Sequence, residues 1–274
     1  STSSVPVSVS LVSPITPLGK ETSPPANALI IPAVANVGGI NSKWLSDVRI
    51  NNTANSTIQY QLTFTATEQD GTIEGEKTGY SLRPGQTVAM DDIVRQWFGF
   101  GDLADGTNGT LEIRPLNFQG RVANPEATLA ATVATSRTYT RDANSLASFG
   151  QFMPSVPFGS FINSTLPGAR LSMQQISQDP LSRTNFGLVE GSGKPVNVLL
   201  TAYDRLGTQL GQFPVSLLAG EHRQLNQLLA QNNISVVDGR VEATVTGGSG
   251  AITAYASVVS SGTGDPTLVR GVDP

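Results

Sequence analysis

An all-β chain of two tandem antiparallel Ig-like sandwiches is the fold class that the sequence predicts. Three observations predict it: short apolar-alternating runs at 8–12-residue spacing, Gly, Asn or Pro between the runs, and a set of strings that occurs twice in one order. The expected division is an N-terminal strand and Pro-rich arm over residues 1–28, a first sandwich over 29–150 and a second over 151–274.

The arm comes first. Val5, Val7, Val9 and Leu11 alternate with Pro6, Ser8 and Ser10, the period of a strand with one apolar face. Pro14, Pro17, Pro24 and Pro25 punctuate the stretch that follows. Such a segment favours the polyproline helix, at about 3.1 Å per residue, and separates the strand from the body by up to roughly 40 Å.

From Leu29 onward the repeated strings run in parallel. Ile31-Pro-Ala-Val34 answers Met153-Pro-Ser-Val156, and Asp47-Val-Arg-Ile-Asn-Asn52 answers Thr184-Asn-Phe-Gly-Leu-Val189. The run from Ile58 to Phe64 answers Val196 to Tyr203, and Tyr80 to Gly85 answers Val215 to Gly220. Asn108 to Ile113 answers Asp238 to Ala243, and Thr128 to Thr135 answers Ala251 to Val258. One helical turn is expected in each unit, from Asp92 to Phe98 and from Asn226 to Gln231, with Asp or Asn as the N-cap.

Composition excludes several function classes. Of 274 residues, 14% are charged and the net charge is −4, so the chain has no basic footprint for nucleic acid or anionic lipid. With 0 Cys there are no disulfides, thiolate metal sites or cysteine nucleophiles. No apolar run approaches the roughly 20 residues that span a bilayer, so membrane insertion is not expected. The low Lys content, the Ser, Thr, Asn and Gly bias, and an opening Ser1-Thr-Ser-Ser with no leader read as a mature exported chain at the cell surface or beyond it.

Ser136-Arg-Thr-Tyr139, Phe149-Gly-Gln-Phe-Met-Pro154, Arg183-Thr-Asn-Phe-Gly-Leu-Val189, and Tyr255-Ala-Ser-Val-Val259 with Thr263-Gly-Asp-Pro-Thr267 carry a resemblance. They look like a tandem β-sandwich module of exported bacterial proteins. The resemblance covers residues 29–272 and implies location and architecture, with no activity to carry over.

Candidate chemistry is thin. The single His222, in Gly220-Glu-His-Arg-Gln-Leu225, reads as an exposed residue of a turn entering a strand, and no G-x-S-x-G elbow accompanies it. Glu190-Gly-Ser-Gly-Lys-Pro195 lacks the spacing and the Ser/Thr of a phosphate loop and reads as a hairpin turn, as does Gly247-Gly-Ser-Gly-Ala251. Asp102, Asp105 and Asn108 gather oxygen ligands as a calcium loop does, but without EF-hand spacing and without a counterpart in the second unit. The paired Asp91 and Asp92 fit helix capping better than acid–base work. Trp44, Trp97, Tyr60, Tyr80 and Tyr203 are candidates for a sugar-stacking strip, against the commoner role of large rings as sandwich core.

No catalytic residue, cofactor or metal is therefore expected. The expected function is a non-catalytic structural protein that assembles head to tail with itself into a fibre or surface polymer. Val5, Val7, Val9 and Leu11 are the assembly residues, added as a donor strand to a neighbouring subunit; the same strand docked on the first sandwich of its own chain is the competing arrangement. Burying that row contributes about 6–12 kcal/mol gross, against an association cost of about 4–15 kcal/mol. The alternative is an accessory module that binds surface polysaccharide or cell wall.

Overall fold

The computed structural model describes residues 28–39, 42–100, 106–116, 132–141, 148–166 and 168–274. The first half holds β1 (Leu29–Gly39), β2 (Ser42–Asn52), β3 (Ile58–Ala66), β4 (Glu76–Leu82), β5 (Thr87–Met90), β6 (Gly106–Leu116), β7 (Thr132–Arg141) and β8 (Ser148–Pro154). Two helical turns accompany them, α1 (Gly71–Glu74) and α2 (Ile93–Gln96). Short β9 (Val156–Pro157), a 3₁₀ turn over Phe158–Ser160 and β10 (Ile162–Asn163) lead onward. The second half holds β11 (Arg170–Gln178), β12 (Ser182–Glu190), β13 (Val196–Tyr203), β14 (Gln209–Leu217), β15 (His222–Leu225), α3 (Leu228–Gln231), β16 (Val236–Gly248), β17 (Ala251–Ser260) and β18 (Pro266–Arg270). The chain is all-β and its strands pair antiparallel in several sheets, as the sequence predicts.

Strand for strand, the second half repeats the pairings of the first. In the first half β6 joins β1 and β3, β3 joins β4, β2 joins β5 and β7, and β7 joins β8. In the second, β16 joins β11 and β13, β13 joins β14, β12 joins β15 and β17, and β17 joins β18. The strings from Ile58, Tyr80 and Asn108 fall on matching strands in register. The string from Asp47 falls on matching strands one residue out of step, with Asn51 and not Asn52 where Val189 stands, and of the string from Thr128 the described residues 132–135 lie on β7, the counterpart of β17. The first string does not fall on matching strands: Ile31 stands opposite Leu111 as Met173 stands opposite Val241, so the counterpart of β1 is β11 and not residues 153–156. The halves differ at β1, which also pairs with β2 at its far end and so fuses its two layers into one nine-stranded sheet, and which takes β9 alongside it; β10 adds to β17 in the second half. Pro32 sits where the β1–β6 register shifts between Ile31 and Val34, the irregular place in which a strand tolerates proline.

Alternation fills both cores. Tyr60, Leu62 and Phe64 of β3 meet Val48 and Ile50 of β2, while Val198, Leu200 and Ala202 of β13 meet Phe186 and Leu188 of β12. The helical turns bury Ile93, Val94 and Leu229 at one end of each core. Their caps differ from expectation. The cap positions are Asp92 and Gln227, both left-handed, and neither side chain bonds its own helix. Each backbone N–H instead donates to the neighbouring strand, Asp92 to Asp47 Oδ1 at 3.0 Å and Gln227 to Asn185 Oδ1 at 3.0 Å. Asp92 accepts from Asn36 at 2.7 Å, and Asp91 pairs with Arg49 at 2.6 Å.

The two presumed hairpin turns are corrected as well. Residues 190–195 join β12 to β13 and residues 247–251 join β16 to β17, strands that belong to different sheets, so both are corners between layers.

Candidate functional site

The chemically richest place in the described structure is the seam where the halves meet. A first part is apolar: Ile30 turns away from its own core and packs with Val156, Phe161, Val189 and Ala251. A second part is polar and surrounds β15. After β3 the chain continues alongside it, Thr67 bridging to His222, whose carbonyl accepts from Glu68 N–H at 2.9 Å and from Thr67 Oγ1 at 3.1 Å. One residue before α1, Asp70 accepts from Thr72 N–H at 2.9 Å and fixes the start of the turn. Gly71 N–H then donates to Ala219 O at 2.8 Å, and Asn108 Nδ2 donates to Gln224 Oε1 at 2.9 Å.

His222 is fully buried in this seam, which corrects the expectation of an exposed side chain. Its Nε2 lies 3.1 Å from Tyr255 Oη, and its Nδ1 has no hydrogen-bond partner. Tyr255 reaches it by lying flat over Gly187, directly opposite on β12, where a Cβ would come within 2.0 Å of the ring. Burial drives the His222 pKa down from 6.5 to about 4 and raises that of Tyr255, so the imidazole is neutral and the phenol protonated at pH 7.

Glu190 and Glu221 are buried as well. Glu190, at the end of β12, accepts from Ser192, Gly193, Lys194, Gly220 and Ala251 N–H groups at 2.7–3.1 Å. Glu221 accepts from Leu218 N–H at 2.6 Å and pairs with Arg223. Asn52 holds the place of Glu190 in the first half. It too is buried, and it accepts from Ala54 N–H at 2.9 Å and donates to the Ser56 and Leu82 carbonyls. The carboxylates thus close turns, and the one imidazole is shielded from water; a general base needs access to a substrate proton.

The sequence candidates are distributed as follows. Val5, Val7, Val9 and Leu11 lie outside the described residues, as do Asp102 and Asp105; Asn108 is engaged with Gln224 in the seam. The five rings do not form one strip. Tyr60 and Tyr80 are fully buried and stacked at 5.5 Å, with Trp97 edge-on to Tyr80 at 6.0 Å. Trp44 is half-buried in β2, and Tyr203 lies in the other half under Arg240 at 4.1 Å. Among the described residues no group of three or more His, Asp or Glu is placed to hold a metal ion, and no helix is long and apolar enough to cross a membrane.

No family model and no curated protein matches the chain. Among solved structures, the chain is similar to a lectin from Pleurotus ostreatus in complex with GalNAc, at 10% identity and a TM-score of 0.23, over 98% of this chain and 86% of the lectin. A likeness of that degree bears on no ligand or activity of this chain.

Proposed function

We propose that the chain is an exported, non-catalytic structural protein, a stiff pair of β-sandwiches that joins its neighbours by adding its N-terminal strand to their sheets. The observation that carries the reading is the commitment of the reactive groups to architecture. Glu190, Glu221 and His222 are all buried, and their side chains bond turns and strands of the second half, while the His222 carbonyl takes the bonds that cross to Thr67 and Glu68 of the first.

A rigid body with a long apolar-faced arm suits linear assembly. Tail and acceptor are different surfaces, so the contact is heterologous and repeats without closing unless rotation makes a ring. Stacking by the seam surface itself is disfavoured, because its chemistry is not reproduced at the free ends. Ser172 stands where Ile30 stands in the first half, Asn51 where Val189 stands in the second, and a tight turn at residues 204–208 replaces the α1 loop.

Electron microscopy of the purified full chain and of a variant lacking residues 1–12 tests the reading. Fibres or ordered polymers from the full chain and monomers from the deletion are expected. Monomers from both, or equal assembly by both, would overturn it.

A further inference from the structure

Strand addition needs a sheet edge whose outward N–H and C=O groups are unpaired, and most edges described here are taken or blunted. On β11, Ser172 exchanges both backbone bonds with Val272 at 2.8 and 3.1 Å. β15 is occupied by Thr67 and Glu68. β8 lies against β18, its Gly150 N–H directed at Asp265 Oδ1 at 3.3 Å and its Gln151 accepting from Ser257. β5 spans four residues. Two long edges remain, β4 in the first half and β14 in the second.

Proline separates those two. Pro214 stands mid-way along β14, opposite Leu199. Having no N–H, it must occupy a non-hydrogen-bonded pair, so its place on the ladder is turned outward and the β14 edge lacks a donor at its centre. In β4 the same place belongs to Gly79, opposite Gln61, and Ser81 follows opposite Gln59. No described strand pairs with β4 beyond β3.

Resting on the assembly reading above, we infer that the β4 edge is the acceptor, and that its occupant is the Val5–Leu11 strand of a second copy of this chain. Five residues of the segment, Val7 to Leu11, match the last five of β4, 78–82. Antiparallel pairing with Val9 opposite Tyr80 sets Ser8 opposite Ser81 and Val7 opposite Leu82. Pro6 then falls opposite Arg83, past the end of β4, where no ladder donor is needed. The valine row faces the core side, with Tyr80 and Leu82, where the half-buried Trp97 stands beside Tyr80. The serine row faces outward with Gly79 and Ser81.

The chain has 0 Cys, so single thiols report contacts cleanly. Three full-length variants are made, Ser8→Cys, Ser81→Cys and Ser216→Cys, the last at the matching place on β14, opposite Asn197. Ser8 and Ser81 in a hydrogen-bonded pair have Cα atoms about 5.5 Å apart, within disulfide reach. Mixing Ser8→Cys with Ser81→Cys under mild oxidation, then mapping peptides, is expected to give the mixed adduct at least tenfold above the Ser8→Cys with Ser216→Cys mixture. Equal adducts in both mixtures, or fibres without the Ser81 adduct, overturn the β4 assignment and leave assembly standing. Closure of a doubly substituted Ser8→Cys, Ser81→Cys chain on itself at high dilution, without the mixed adduct, overturns the second-copy assignment. Neither fibres nor any adduct overturns both.

Discussion

Gly71 and Gly220 touch backbone to backbone across the seam, leaving no volume for a side chain on either. A Cβ on Gly71 would meet Gly220 O at 2.7 Å, and one on Gly220 would meet Gly71 Cα at 3.0 Å. Gly220 also sits at φ 68°, a left-handed conformation that glycine adopts without strain. The 2.8 Å bond from Gly71 N–H to Ala219 O depends on that approach.

Gly71→Ala should therefore wedge α1 away from β15 and cost about 1–3 kcal/mol. Gly220→Ala should cost about a further 1 kcal/mol for its backbone conformation. The control is Gly85→Ala, at the matching turn of the first half, with φ 71° and open space around it, which carries the conformational cost alone. Urea midpoints measure all three. Equal losses at Gly220 and Gly85 would show that the close approach contributes nothing.

A second consequence concerns acid. His222 titrates near 6.5 when unfolded and about 4 when folded, so the unfolded chain binds the proton more tightly. Its contribution is fully present above pH 6.5, falls as the pH drops, and is exhausted near pH 4, a loss of about 3 kcal/mol. The ring has no carboxylate partner to offset this: Glu190, Glu221 and Asp70 are bonded elsewhere, and its one polar contact is Tyr255. His222→Phe removes the titration, so the stability gap between wild type and variant should drift toward the variant by about 3 kcal/mol from pH 7 to pH 4. A gap independent of pH would mean that His222 titrates alike in both states.

Much of this fold was legible from residue order. Period-two runs marked the strands, and the recurrence of β2 to β7 strings in β12 to β17 marked two halves with one pairing scheme. What failed was long-range. His222 reads as exposed because Glu221 and Arg223 flank it in a glycine turn, yet the cover comes from Thr67 and Glu68, about 155 residues upstream, and from Tyr255. Residues 190–195 and 247–251 carry hairpin turn chemistry, but a glycine turn does not say which sheet the next strand enters. Ile31-Pro-Ala-Val34 matches residues 153–156 in string while β11, its partner in topology, shares no visible string with it; a strand's place follows from its ladder, and many sequences satisfy one ladder. A polar residue that ends an apolar strand, such as Glu190, was the one available signal for the seam.

Glu190 supplies the sharpest contrast between the halves. It accepts five backbone N–H groups drawn from three segments, at residues 192–194, 220 and 251, whereas Asn52 in the matching place both accepts and donates. An acceptor-only group suits a nest of donors. Glu190→Gln keeps the shape but turns an NH₂ toward Gly193, Lys194 and Gly220 or toward Ser192 and Ala251, leaving buried donors unpaired at a cost of about 2–4 kcal/mol. Asn52→Asp places a charge among the Ser56 and Leu82 carbonyls it now donates to, and should cost a similar amount. Denaturant midpoints of both variants check the pair. A Glu190→Gln protein as stable as wild type would show that the three segments hold together by packing, with the carboxylate incidental.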